Sequence, residues 1–436
     1  MGAPPDRHRP GLKLHDLIDA GKHNEAGALL DDLLTRDPDD PEALFYLCRL
    51  FIETNRPAFA HPIAGYLTTI APDRPASWAA LGHTDAAMQR AEQAVKHLTH
   101  ALKLKPGWIE PLRALCNAYV MLHRFDDAKR VALEALKNDD HHLPHVALAF
   151  AHLHKREWKE GWKHYTRQMG KCRDRPLHDY GLKEWRGDGT VLIYGEQGLG
   201  DQLAYMSATD ERCVQVSCHP KLANLLRRSL KAEVHGDQFV SEIAWTPKAE
   251  HQASMATAMQ WQEVKRRGRY LTPHPEKAIQ WRGLMHAAAK IKDRAWIGLA
   301  WTGGATNSHG GLQRNLTPDQ LRPILDLPCN FVSLEYRPHD PVPGVHCWPW
   351  ATQTADLDDA AALVANLNAV VCVPTTAYHL AGGLGIPCHV IVHDTPHFHE
   401  GMEGDSPWWE SVKFHRRTQG LDKAIATVAE LLWRKI

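Results

Sequence analysis

The chain has 436 residues, which at roughly 150 residues per domain predicts two to four domain-sized units. Its 51 basic and 51 acidic side chains cancel, which speaks against a nucleic-acid binder, and 44% hydrophobic with 23% charged residues excludes disorder as the main state. Nine scattered cysteines without a C-x-x-C pair, no apolar run near the roughly 18 residues of a spanning helix, and no apolar stretch after Met1 predict a cytoplasmic protein with free thiols.

The first 175 residues carry a 34-residue period. Pro38, Pro72 and Pro106 keep it, as do Ala26, Ala60, Ala94 and Ala128. Large apolar positions follow in two columns, Leu44, Trp78, Leu112 and Val146, and Leu47, Leu81 and Leu115. A small residue lets two helices of a hairpin approach closely, and a proline after the second helix stops it. Each such hairpin leaves an apolar face that only a stacked neighbour can cover. The pattern resembles the tetratricopeptide repeat, with three good copies over 41–142 and looser ones near 7–40 and 143–176. The last contains Trp158, Gly161, Trp162 and Tyr165, the aromatic composition expected of a cap against another domain. A helical repeat domain over 1–176, with a groove for a peptide or protein, is the expectation. The short segment from Lys171 to Leu182 lacks a Gly/Ser-rich stretch, which predicts a packed junction rather than a flexible tether.

From Trp185 the pattern changes to alternating strands and helices. Val191–Tyr194, Val214–Ser217 and Glu233–His235 read as strands, with helices over about 201–210 and Pro220–Ser229. A second series follows: strands over 296–301, 331–334, 369–373 and 389–392, and helices over 356–366 and 375–384. Alternation of this kind predicts parallel sheets covered by helices, in two halves over 186–290 and 294–436. Ligands in such folds sit beyond the carboxyl ends of the strands, here in the cleft between the halves.

Three segments there have the residue types for chemistry. Gly195-Glu196-Gln197-Gly198-Leu199-Gly200-Asp201 joins a strand to a helix; it is neither a Walker loop nor a dinucleotide fingerprint. Its Asp201 is placed either to take a hydroxyl proton or simply to complement the helix dipole. Trp301-Thr302-Gly303-Gly304 leads to Arg314, and offers backbone N–H groups and a guanidinium to a phosphate, or is a plain turn with a surface arginine. Val373-Pro374-Thr375-Thr376-Ala377-Tyr378-His379 runs from strand to helix, with hydroxyls and N–H groups at an anion-binding helix start and His379 one turn in. His393, His397 and His399 are weighed as metal ligands and set aside, since 29 histidines make such clusters common. Asp356-Leu357-Asp358 imitates an acidic metal pair and is read as a helix cap.

Together, Glu-Gln-Gly-Leu-Gly-Asp, the Trp-x-Gly segment, the Thr-containing His-Leu-Ala-Gly-x-Leu-Gly helix and Asp405-Ser406-Pro407-Trp408-Trp409 are similar to bacterial repeat-containing glycosyltransferases. Their catalytic part resembles the heptosyltransferases and, more distantly, the O-linked N-acetylglucosamine transferases. The resemblance implies an α + α/β protein: a tetratricopeptide solenoid followed by a GT-B double Rossmann-like transferase, acceptor side first and nucleotide-sugar side second. It implies inverting, metal-independent transfer from a nucleoside-diphosphate sugar, with no cofactor, and repeats that recruit a protein or carrier. Asp201 matches the base. Gly198, Gly200, Thr302, Gly303, Arg314, Glu335, Thr375, Thr376, His379 and Gly382 fall on or beside donor-binding positions. Two departures stand out: Pro374 where the family has an aspartate, and Glu335 where glutamine is common. Pro374 keeps open an alternative, a repeat scaffold whose transferase domain has decayed.

Overall fold

A computed structural model describes residues 10–137, 140–168, 177–238, 240, 242–303, 314–393 and 396–434. The chain divides into two compact units, Met1–Ala151 and His152–Ile436. No helix among the described residues is long and apolar enough to cross a membrane. The first half of the expected junction, residues 171–176, lies outside the described residues.

The first unit is a row of helical hairpins: Pro10–Asp19 with His23–Arg36, Pro41–Glu53 with Pro57–Ile70, Pro75–Ala87 with Ala91–Leu104, and Ile109–Met121 with Phe125–Leu136. Every alanine of the periodic column is fully buried where the two helices of a hairpin cross. The periodic prolines sit just past each second helix, whose capping residues Asp37, Ala71 and Lys105 donate back to Leu33, Leu67 and Ala101 carbonyls. Trp78 is held to this turn by its indole N–H, 2.7 Å from the Pro72 carbonyl. Further periodic positions emerge at the turn inside each hairpin. Gly21, Asn55, Gln89 and His123, again 34 apart, all have positive φ. The residue after each donates back to the carbonyl five positions earlier, as Arg90 N–H does to Asp85 at 2.8 Å, the closed ending that a left-handed residue permits.

The second unit opens with the helix Trp158–Tyr165, which the sequence periodicity assigns to the repeats. Trp162 is fully buried there against Tyr205, at 5.3 Å between ring centroids, and Phe398, at 6.2 Å, which accounts for the aromatic character of this segment. Two wholly parallel sheets follow. The first takes β1 (Lys183–Glu184), β2 (Val191–Tyr194), β3 (Cys213–Ser217), β4 (Glu233–His235) and β5 (His251–Ser254) in the order β1-β5-β2-β3-β4. The second takes β6 (Trp296–Ala300), β7 (Asn330–Ser333), β8 (Val345–His346), β9 (Ala369–Cys372), β10 (Cys388–Val392) and β11 (Val412–Arg416) in the order β11-β10-β9-β6-β7-β8. Strand order therefore reverses between β6 and β9, which opens a crevice at their carboxyl ends. Their residues are buried throughout, the signature of strands covered on both faces.

The short strands β1, β5, β8 and β11 complete the sheets beyond those the sequence displayed. The acidic run at 356 turns out to tie the halves together rather than merely cap its helix. Asp356 accepts from the Asp358 N–H at 3.0 Å. Asp358, however, pairs with Arg228, and Asp359 takes Lys277 at 2.6 Å and the Trp281 indole at 3.0 Å.

Candidate active site

The glycine loop after β2 is shaped by what its glycines touch. A Cβ on Gly195 would lie 2.7 Å from Gln202 Oε1. Gln202 is buried; it donates to the Gln197 carbonyl at 2.7 Å and accepts from the His219 N–H at 3.0 Å. Glu196 accepts from the Met255 and Ala256 N–H groups, each at 2.9 Å, and so fastens the loop to the end of β5. Gly198 precedes the helix Leu199–Ser207 in extended conformation. At Gly200 a Cβ would stand 2.8 Å from the His379 ring and 3.4 Å from Thr376 Cα. That glycine lets the helix after β2 meet the helix Thr376–Leu384 after β9, which brings Asp201 beside the crevice.

Asp201 lies in the first turn of its helix, its side chain one-quarter exposed, with Oδ1 2.8 Å from Nε2 of the buried His399. The indole N–H of Trp408 is 3.3 Å from His399 Nδ1 and 3.2 Å from the His399 carbonyl. An indole nitrogen only donates, so Nδ1 is the acceptor and Nε2 carries the hydrogen that points at Asp201. The neighbouring tryptophan repeats the device: Trp409 Nε1–H donates to His379 Nδ1 at 3.3 Å. Burial, the largest cause, holds His379 well below the usual imidazole range, and the Trp409 donor on Nδ1 leaves its hydrogen on Nε2. Burial acts the same way on His397 and pushes the Glu400 carboxyl up. Arg314, placed among the donor residues, is one of the charges acting on both.

Asp201, His397 and His399 bring one ligand-type atom each within 4.8 Å of one another, while His393 is not in that group. Two of the three histidines set aside on composition are thus gathered at the candidate base. His399 Nε2 and Asp201 Oδ1 themselves lie at hydrogen-bond distance, 2.8 Å.

The turn after β6 differs from the sequence expectation of free backbone donors. Glu335, at the end of β7, accepts from the Trp301 N–H at 2.6 Å, the Thr302 N–H at 2.8 Å and the Thr302 hydroxyl. Gly303 N–H is taken by Asn315 Oδ1 at 2.9 Å, and a Cβ on Gly303 would strike the Pro374 carbonyl at 2.5 Å. Glu335 therefore organises the turn from within, and the Thr302 and Gly303 N–H groups are already engaged. Gly304 and the rest of 304–313 lie outside the described residues. Thr375 and Thr376 start their helix half-buried, and no side-chain hydrogen bond caps it. Gly382 lies under Trp409, whose indole a Cβ would approach to 2.3 Å; its place is in the packing that holds the tryptophan on His379. Beside the same strands a cavity of about 390 Å³ is lined by Trp301, Pro318, Arg322, His339 and Pro341. The sequence reading missed the role of His399 and the framework behind it, in which Arg156 donates to the Glu400 carbonyl at 3.0 Å and Met402 N–H to that of His154 at 2.9 Å. The paired tryptophans 408 and 409 were the available signal.

The tetratricopeptide-repeat family model matches residues 17–83. The N-terminal hairpins are tetratricopeptide repeats. Protein FlbA of Caulobacter vibrioides is 22% identical over 422 residues, a match covering 86% of this chain and 70% of FlbA. Among solved structures, a thermophilic TPR protein of Thermus thermophilus is 23% identical over 37% of this chain and 89% of its own, with a TM-score of 0.34. PilF of Pseudomonas aeruginosa is 17% identical over 36% and 72%, with a TM-score of 0.32.

Proposed function

We propose that residues 186–436 form a GT-B type glycosyltransferase that moves a sugar, with inversion, from a nucleoside-diphosphate sugar to an acceptor hydroxyl without a metal ion. The observation that carries this reading is the meeting of two helix starts at Gly200 and Thr376, with the partly exposed carboxylate of Asp201 between them and His399 behind it. Asp201 takes the acceptor proton as the acceptor oxygen attacks the anomeric carbon; the bond to the diphosphate breaks and its oxygen keeps the electron pair. The N–H groups and hydroxyls at Thr375 and Thr376, the Nε2–H of His379 and the Arg314 guanidinium meet that charge. The cavity beside Trp301 offers aromatic rings to a nucleobase. His399 is not itself the base, because its second nitrogen is covered by Trp408. The repeats, as interaction modules, present the acceptor on a polypeptide or carrier.

A second reading, a binding scaffold with a decayed transferase domain, draws on Pro374 and on the engaged N–H groups of Thr302 and Gly303. Thermal stabilisation by a panel of nucleoside-diphosphate sugars, followed by donor hydrolysis in EDTA, separates the two. Transferase function requires a stabilising donor that is slowly hydrolysed in chelator. A donor that neither binds nor turns over leaves the scaffold reading, and turnover restored only by magnesium or manganese overturns the metal-free mechanism.

A further inference from the structure

We propose that the Trp408 indole is a tautomer lock: it holds His399 with its hydrogen on Nε2, and that N–H in turn fixes the Asp201 carboxylate so that its second oxygen faces the cleft. The proposal rests on the reading of Asp201 as the base. Three observations carry it. The Asp201–His399 contact, at 2.8 Å, joins residues 198 positions apart across the two halves. The ring of His399 is enclosed, and its Nδ1 faces a group that cannot accept a hydrogen bond. Trp408 is itself fully buried and packed by Tyr205, at 5.6 Å between centroids, and Trp158, at 6.4 Å, so the donor direction is set by the framework.

With the indole N–H absent, the hydrogen on His399 is free to move to Nδ1. Nε2 would then present a lone pair to a carboxylate oxygen at hydrogen-bond distance, and the two repel. The carboxylate would turn away, and the base would lose the orientation on which proton transfer depends. A ring flip offers no escape, since it exchanges each nitrogen for a carbon and abandons both hydrogen bonds. Trp408 and His399 are thus positioning residues that act through Asp201. The adjacent Trp409–His379 pair has the same construction, which gives the consecutive tryptophans a shared physical purpose: each sets which nitrogen of a buried histidine carries the hydrogen.

The test combines a readout that needs no turnover with one that does. In the full chain with ¹⁵N-labelled histidine, the His399 signals, assigned by their loss in His399→Gln, should show a protonated Nε2 and an unprotonated Nδ1. Trp408→Phe should introduce the Nδ1–H form and lower turnover about tenfold or more, with donor KM changed less than twofold. His399→Gln, whose amide can still donate to Asp201, should keep most activity, whereas His399→Leu should lose roughly 10²-fold. A parent protein with hydrogen on Nδ1, or glutamine no better than leucine, overturns the proposal even if Trp408→Phe fails to fold. If no donor is turned over, the transferase reading fails while the tautomer measurement still decides the lock.

Discussion

The two units are built from different kinds of contact. In Met1–Ala151 each helix packs on its neighbours in the chain, and the same alanine, proline and left-handed turn recur every 34 residues. In His152–Ile436 the contacts that build the candidate site join distant segments: Asp201 to His399, 198 residues on, and Arg156 to Glu400, 244 residues on. A solenoid restates its rule in every repeat, so one substitution disturbs one interface. The α/β unit states each contact once. A change there is felt in one place only, but that place is the crevice.

The largest effect separating the units should come from Asp201→Asn, which keeps the size of the side chain and removes its basicity. Turnover should fall by roughly 10²–10⁴-fold with donor affinity nearly unchanged. If Asp201 only complements its helix dipole, the substitution should instead cost about 0.3–1 kcal/mol of stability and leave turnover intact. Steady-state kinetics with a donor-binding titration on the same preparation distinguishes these outcomes. No substitution confined to one repeat should reproduce the first.

Acid should separate the units next. Burial lowers His219, His235, His346, His379, His397 and His415 in the second unit, and His83 in the first. Such histidines take up protons in the unfolded chain, near pH 6.5, before they do so in the folded one. The stability they contribute is therefore present above about pH 6.5 and is lost as pH falls toward their folded values. Glu400, raised by burial, has the opposite sign: its contribution is present at low pH and is lost as pH rises through its folded value. Six lowered histidines outweigh one raised carboxyl, so between pH 7.5 and 5.5 amide exchange, corrected for its intrinsic rate, should lose more protection in His152–Ile436 than in Met1–Ala151. Equal loss in both would remove the buried histidines as the cause.

Legibility in the sequence follows the same division. The repeats were visible because alanine, proline and leucine columns obey one period, and the central strands because fully buried parallel strands are apolar runs such as Val191–Tyr194 and Ala369–Cys372. Strands without that apolar character were hidden: β1 has two residues, Lys183 and Glu184, both exposed, and β5, although it lies between β1 and β2, reads His-Gln-Ala-Ser. Asp201 could be singled out because it follows glycines between a strand and a helix. Its partner could not, since nothing in the spacing of His399 tells that a helix start 198 residues earlier will face it. Gly382 and Gly303 illustrate the converse: they look like ligand contacts, yet their missing Cβ atoms make room for Trp409 and the Pro374 carbonyl.

The smallest effect concerns one turn that occurs in both units. Gly21 and Gln89 in the repeats, and Arg156 in the second unit, share a positive φ, at 70°, 60° and 61°. Nothing lies within 4 Å of a Cβ placed on Gly21, so Gly21→Ala should lower stability by the backbone cost alone, about 1 kcal/mol. Gln89→Gly relieves that strain but gives the unfolded chain more freedom, and the balance should be a gain of roughly 0.5 kcal/mol. Asn55→Gly should gain less, since asparagine tolerates this conformation. Arg156→Gly relieves the same strain yet should destabilise by about 1 kcal/mol or more. The Arg156 guanidinium donates to the Glu400 and Asp405 carbonyls, and charged hydrogen bonds of this kind are worth roughly 1.5–3 kcal/mol. The same backbone geometry should thus give opposite signs in the two units under denaturant unfolding. A stabilised Arg156→Gly protein would mean that the 397–409 segment does not depend on Arg156 to hold His399 in place.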